Sequence, residues 1–539
     1  MGIVMKGSPD ERQDKKAEKP KRVSKKVVHA LVEAERHIVG LKPSFFKFFG
    51  RLGAWTRKAI KLLIPFSVLL FFTFVPLGID TTIQYMLGIF LCVALMWAFE
   101  SLPLPITSLL VPALLVLYNI FPTGENLPSP AEQAFAPFSD PVVYVIMGGL
   151  IIAEAFRRNG IDKRLTLYLI SKSKGEFKWL LLAIMLGAAL LSMWISNTAT
   201  AALLIPVTIG IAHRVTQEKE KEHRIAVVLL LAVAASTIIG GMATIIGSSP
   251  NAVASGFLVK ENVGWDFVDW MIIGFPLSML ILIVSWAILL KFYPVGVDTV
   301  DLSWVEEERK ELGPISNDEK KVLIIFAGAV AFWIFGERAA EFLLIPLPYL
   351  VGFNAPAVVA ALAAVLLFMT RALDWEDAKL IPWGLFLIVG AGLSLGHAMI
   401  LSGTADWLGG GLFSATSFLK VLGDPLYLMV LLLVISFVAV ALSNFINATA
   451  TAAILIPIMI SMAKLPEFAG ISVKVFVLPI AFSMVLSFAT PVASTSSTLV
   501  YGTGMVSKRE LAKSGLLISI PAIVITVLFS FLMAVYGFV

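Results

Sequence analysis

The chain has 539 residues, 58% of them hydrophobic and only 15% charged, with a mean hydropathy of +0.89, which excludes an ordinary water-soluble protein and places it in a bilayer. One cysteine, Cys92, excludes an intrachain disulfide and a cysteine-based metal cluster, and five histidines form no metal signature. The net charge of +5 is N-terminal: residues 1–61 hold 16 Lys/Arg against 6 Asp/Glu, leaving 26 basic and 31 acidic residues elsewhere. A basic arm beside a membrane span marks the cytoplasmic face or contacts anionic lipid, so no nucleic-acid partner is expected.

In chain order, residues 1–61 read as a cytoplasmic basic arm, with an interfacial amphipathic helix in 22–61. About 60 polar or amphipathic residues before the first apolar run argue against a signal peptide. Residues 62–140 read as helices 1–3, and 141–265 as a first repeat with a hairpin at 179–212 and a broken helix at 225–259. Residues 266–379 give further helices and a cytoplasmic linker. A second repeat covers 380–506, with a hairpin at 425–463 and a broken helix at 475–506, and a C-terminal helix covers 507–539. The fold class is all-α and polytopic: about eleven transmembrane helices plus two re-entrant hairpins.

The hairpins follow from length and charge. Residues 179–212 and 425–463 are too long for one span and too short for two of ~20 residues with a turn. With Met1 inside and each segment returning to its own side, the inside loops carry 21 Lys/Arg and the outside loops 5, the bias expected of cytoplasmic loops.

The same segments repeat. Residues 195–206 read ISNTATAALLIP and 446–457 read INATATAAILIP, identical at nine of twelve positions with an offset of 251. Residues 145–160 parallel 388–403 at an offset of 243, which also aligns Glu154 with His397; GSSPN at 247–251 parallels ASTSS at 493–497. Since the first hairpin enters from inside and the second from outside, the halves are inverted, the plan of a secondary transporter. Backbone that leaves the helical ladder at mid-depth must be satisfied by protein, water or ligand. Helix N-termini there suit carboxylates, and freed carbonyls with Ser, Thr and Asn oxygens suit Na⁺.

At Ser196, Asn197 and Thr198, and at Gly247 to Asn251, the sequence resembles the divalent anion:sodium symporter family of di- and tricarboxylate carriers, whose hairpin tips read Ser-Asn-Thr and whose breaks read Gly-Thr-Pro-Pro-Asn. The resemblance covers roughly residues 60–539. It implies a homodimer with a fixed scaffold domain, formed by 62–140 and the helices of 266–379, and an elevator-type transport domain, formed by the repeats 141–265 and 380–506. It also implies substrate contacts from Ser196, Asn197 and Thr198, from their counterparts Asn447, Ala448 and Thr449, and from Ser494 and Thr495. A Na⁺ site is implied at Ser192, Ser196, Asn197 and Gly247. The second half departs from the pattern: Ala448 has no side-chain oxygen, and the second break lacks the Pro-Pro-Asn sequence.

The resulting expectation is a transporter of C4–C5 dicarboxylates in the plasma membrane, acting as an exchanger because the second cation site is degraded. Na⁺-coupled dicarboxylate or citrate symport is the alternative, with an inorganic-anion transporter or channel more remote. Membrane lipid is an expected partner. No cofactor is expected beyond Na⁺ as a coupling ion, and no enzyme, since the apolar segments hold one histidine and no close carboxylate pair.

Overall fold

The computed structural model describes residues 54–342 and 356–535, apart from 217, 262, 264 and 492. Most of the interfacial helix expected at 22–61 lies outside these residues. Residues 54–61, grouped above with the arm, are the first turns of α1 (Ala54–Phe74).

Among the described residues the protein is all-helical, with one isolated bridge between Glu176 and Thr299. After α1 come α2 (Thr81–Phe99), α3 (Leu104–Leu117) and the short α4 (Pro130–Phe135). The segment 141–265 holds α5 (Pro141–Asn159), α6 (Ile161–Ser171), α7 (Phe177–Ser192), α8 (Asn197–Val215), α9 (Lys219–Gly241) and α10 (Ser249–Lys260). Then come α11 (Phe267–Phe292), α12 (Ser303–Glu311), α13 (Asn317–Phe342), α14 (Pro356–Met369) and α15 (Trp375–Ala378). The segment 380–506 holds α16 (Gly384–Leu401), α17 (Thr404–Thr416), α18 (Asp424–Phe445), α19 (Ala448–Ala463), α20 (Val473–Val485) and α21 (Thr495–Gly502), and α22 (Lys508–Val535) follows. Eight of these elements are long and apolar enough to cross a membrane, and shorter apolar helices supplement them.

Local chemistry sets the boundaries. Asp140 caps α5 by accepting from the Val142 amide at 3.1 Å, and Pro141 occupies the first helical position, where its missing N–H costs nothing. Gly160 at φ +72° and Gly403 at φ +71°, an offset of 243, turn the chain into α6 and α17. The repeat is therefore also a repeat of backbone conformation.

Each hairpin is locked to the break of its own half by the same hydrogen bond. Thr244 Oγ1 donates to Met193 O at 2.5 Å, and Thr490 Oγ1 donates to Asn444 O at 2.7 Å. Glycines on α11 and α22 admit the breaks. A Cβ on Gly274 would sit 2.9 Å from Met242 O, and one on Gly515 2.6 Å from Ala489 Cα. Trp270 Nε1 and Ser519 Oγ then donate to the freed carbonyls of Met242 and Leu486 at 3.0 and 2.7 Å. Thus α11, grouped with the scaffold by sequence, packs on the first break. Hydropathy reads an apolar helix there and does not register a close approach through a glycine.

A large hydrophobic core spans both repeats. A smaller one joins α2 and α3 to the faces of α16 and α19 that carry Leu395, Met399, Ala453 and Ile454.

Candidate functional site

Among the described residues, four departures from the helical ladder carry the repeated motifs: the tips before α8 and α19, and the breaks before α10 and α21. The first tip meets the second break and the second tip meets the first break. Thr198 and Thr495 hydroxyls are hydrogen-bonded, and Ser496 Oγ donates to Asn197 O at 3.0 Å. Ser249 and Thr449 hydroxyls lie 2.7 Å apart. These hydroxyl pairs are pseudo-two-fold equivalents, since Thr198 pairs by repeat with Thr449 and Ser249 with Thr495. α8, α10, α19 and α21 thereby turn their N-termini toward one region, each carrying about half a positive charge. No Asp, Glu, Lys, Arg or His occurs in the tip and break sequences 193–198, 242–249, 446–449 and 486–495. Within these sequences the positive potential comes from the backbone dipoles.

The residues named from sequence divide by role. Ser196, Asn447 and Ser494 are N-caps, their side-chain oxygens accepting from the amides of Ala199, Ala450 and Ser497 at 3.3, 3.0 and 3.1 Å. Thr198, Thr449 and Thr495 supply the facing hydroxyls. Ala448 opens α19 and contributes only backbone. Asn447 holds φ +102° and ψ 156°, a conformation disfavoured for a residue with a Cβ, whereas its counterpart Ser196 has φ −59° and ψ 142°.

Asn197 points into a cradle behind the first tip. One terminal atom of its amide lies 2.6 Å from Ser192 Oγ, 3.1 Å from Thr237 O and 3.2 Å from Gly247 O. Oxygens gathered so closely need amide hydrogens or a cation among them. Gly241 closes the cradle: a Cβ there would sit 3.0 Å from Asn197 Cγ and Nδ2 and closer still to Oδ1. Asn251, fully buried, donates from Nδ2 to Gly241 O at 2.9 Å and Thr244 O at 2.8 Å, while its Oδ1 has no partner. The structure brings Ser192, Asn197 and Gly247 together, and Ser196 sits at the rim as a cap.

The second half is built differently. Ala448 replaces the Asn197 amide, and Ser487 replaces Gly241 at the offset of 246. Ser443 and Ser483, the counterparts of Ser192 and Thr237, bury hydroxyls that have no partner. An amide and a side chain at the closing position exclude each other sterically, so the loss of one accompanies the gain of the other.

Sequence reasoning missed Ser249, Thr237, Gly241, Thr244 and Ser496. Ser249 was available from the alignment of the two breaks, being the counterpart of Thr495. Thr237 acts through its carbonyl, which no residue type announces. His397 lies apart from the tips, beside Phe121 with ring centroids 6.1 Å apart. Glu154 is buried and accepts from Arg157 Nε at 2.9 Å.

The chain as a whole has relatives among known proteins. The profile of the sodium:sulfate symporter transmembrane region matches residues 55–536. The protein belongs to this family. It is a multi-pass membrane transporter and not an enzyme. It is 31% identical over 440 residues to an uncharacterized transporter of Methanocaldococcus jannaschii, covering 81% of this chain and 91% of the relative. It is 29% identical over 485 residues to the sodium-dependent dicarboxylate transporter SdcS of Staphylococcus saprophyticus, covering 86% and 88%. The solved Alcanivorax borkumensis YdaH transporter aligns with a TM-score of 0.44 at 14% identity over 83% of this chain and 98% of its own.

Proposed function

We propose that this transporter carries C4–C5 dicarboxylates of the succinate, malate and 2-oxoglutarate class, coupled to Na⁺ at the cradle behind the first tip. The observation that carries the reading is the convergence of four helix N-termini and two hydroxyl pairs, Thr198 with Thr495 and Ser249 with Thr449, in a region without fixed charge. Two carboxylates each find amide and hydroxyl donors there. Without a fixed cation the anion is held loosely enough to leave.

Na⁺ coupling is supported by Asn197, Ser192 Oγ, Thr237 O and Gly247 O gathered behind the tip, and by the relatives named as sodium-dependent dicarboxylate transporters. A second reading, dicarboxylate exchange without Na⁺, is favoured by Ala448 and Ser487, which remove the amide from the other half. In either case we place the protein in the plasma membrane with its N-terminus cytoplasmic, on the charge bias of the loops. It would work as a homodimer whose hairpin-bearing domain moves against α1–α3.

Radiolabelled succinate uptake into proteoliposomes separates the readings. Uptake into empty vesicles driven by a Na⁺ gradient is the expected result. Uptake that requires internal dicarboxylate and ignores Na⁺ would establish exchange. Uptake of sulfate with none of succinate would overturn the substrate assignment.

A further inference from the structure

Away from the tips, α6, α12 and the chain leading into α13 enclose a cavity of about 490 Å³, within the ~300–1,000 Å³ of small-molecule sites. Its apolar lining is Ile161, Leu165, Leu312 and Ile315. Its rim carries Arg164, Arg309 and Lys310 against one acidic residue, Glu306. Arg164 pairs with Glu319 at 3.1 Å and donates from its terminal nitrogens to Gly313 O and Leu312 O, yet its Nε is buried with no acceptor.

Arg309 shares Glu306 at 2.9 Å and Ser171 Oγ at 3.2 Å through one nitrogen, which leaves most of its five N–H groups over. Lys310 has no ion-pair partner among the described residues. Tyr168, also lining the cavity, has the Arg309 guanidinium 6.0 Å and the Lys172 ammonium 5.2 Å from its ring centroid.

The cavity's depth follows from α13. Its first turn holds Asp318, Glu319, Lys320 and Lys321, while Ile324, just beyond, is 71% exposed on a surface suited to hydrocarbon. The cavity therefore lies where the chain enters the bilayer, with Ile315 and Tyr168 half open beside it. A cationic rim with an apolar lining at that level matches an amphiphile with an anionic head.

We propose that this cavity binds an anionic phospholipid, its phosphodiester held by Arg164, Arg309 and Lys310 and its first acyl carbons against Leu165, Leu312 and Ile315. A free phosphate would leave the apolar lining uncovered. The site lies on a seam already held by the Lys163–Glu308 pair at 3.1 Å and by Phe177 N donating to Asp298 O at 2.9 Å. A bound lipid would tie the connecting segment to the first repeat. The inference concerns a site separate from the transport tips and does not depend on the substrate or coupling proposed above.

The test uses the full-length purified protein, with lipid retention read by native mass spectrometry and by the thermal midpoint on adding phosphatidylglycerol, phosphatidylcholine or inorganic phosphate. Phosphatidylglycerol is expected to be retained and to raise the midpoint, with no such effect from the other two. Arg309→Gln and Lys310→Gln should each weaken retention roughly five-fold, as expected per basic residue at an anionic lipid surface. Ile315→Asn should weaken it as well. Glu306→Gln should strengthen retention, a gain that no misfolded variant would give. Equal retention of both lipids, or unchanged retention by the Arg309→Gln/Lys310→Gln double variant, would overturn the proposal. So would stabilisation by inorganic phosphate matching that by phosphatidylglycerol and unaffected by Ile315→Asn.

Discussion

Gly241→Ala tests the cradle most directly. The added Cβ would lie 3.0 Å from Asn197 Cγ and Nδ2 and nearer to Oδ1, and well-packed interiors resist such insertion at about 1–3 kcal/mol. The substitution also lowers the entropy of the unfolded chain, worth about 0.4–1 kcal/mol in the other direction. The net loss of stability should be about 0–2.6 kcal/mol. Function should suffer more, because the amide must turn away from Ser192, Thr237 and Gly247. Losing contacts of that kind costs about 1.5–3 kcal/mol, which shifts the Na⁺ dependence of succinate uptake by roughly 10- to 100-fold. Gly210→Ala is the control, since its Cβ would meet nothing within 4 Å. Combining Gly241→Ser with Asn197→Ala copies the Ser487 and Ala448 of the second half. It should recover the thermal midpoint lost by Gly241→Ser alone without restoring Na⁺ dependence. Wild-type Na⁺ dependence in a stable Gly241→Ala protein would refute the cradle.

Thr449→Val keeps the shape of a residue only 8% exposed but removes the hydroxyl bonded to Ser249; uptake should fall at least tenfold while Thr449→Ser retains most of it, as measured in proteoliposomes. Asn447→Gly should raise the thermal midpoint, because relieving φ +102° returns about 1–3 kcal/mol while replacing the cap by glycine costs a few tenths; a fall would show that the side chain holds the tip in another way. Burial pushes the Asp162 carboxyl on α6 up from 3.8 to about 6, against opposing help from the Lys163 amide and Arg157. The folded protein therefore holds that proton more tightly than the unfolded chain, and stability falls as pH rises from about 4 to 6, then stays level. Asp162→Asn should accordingly stabilise the protein by up to about 3 kcal/mol above pH 6 and by little near pH 4, read as the difference in thermal midpoint across that range; an equal gain at both ends would contradict the buried carboxyl.

Much of the site was legible because the duplication wrote it twice. The two twelve-residue segments place the tips, and the structure starts α8 and α19 at equivalent positions, Asn197 and Ala448. The offsets of 251 and 246 correctly match Thr244 with Thr490 and Met193 with Asn444, whose hydrogen bonds are the same in both halves. What stayed hidden acts through backbone or through absence: the Thr237 carbonyl, the missing Cβ of Gly241, and the glycine of α11 that brings that helix onto the break.

The sequence by itself determined that the chain lives in a bilayer, that its apolar runs are helices, and that two tips and two breaks would exist. Apolar run length, capping residues and repetition are local properties, and the membrane leaves backbone few alternatives to helix. Only the tertiary structure decided that each tip meets the break of the opposite half. It also decided that Asn197 turns into a cradle while Ser196, Asn447 and Ser494 serve as caps. Those choices depend on which helices pack through their glycines and which carbonyls are left free, and both are settled by contacts between residues some 200 to 300 positions apart.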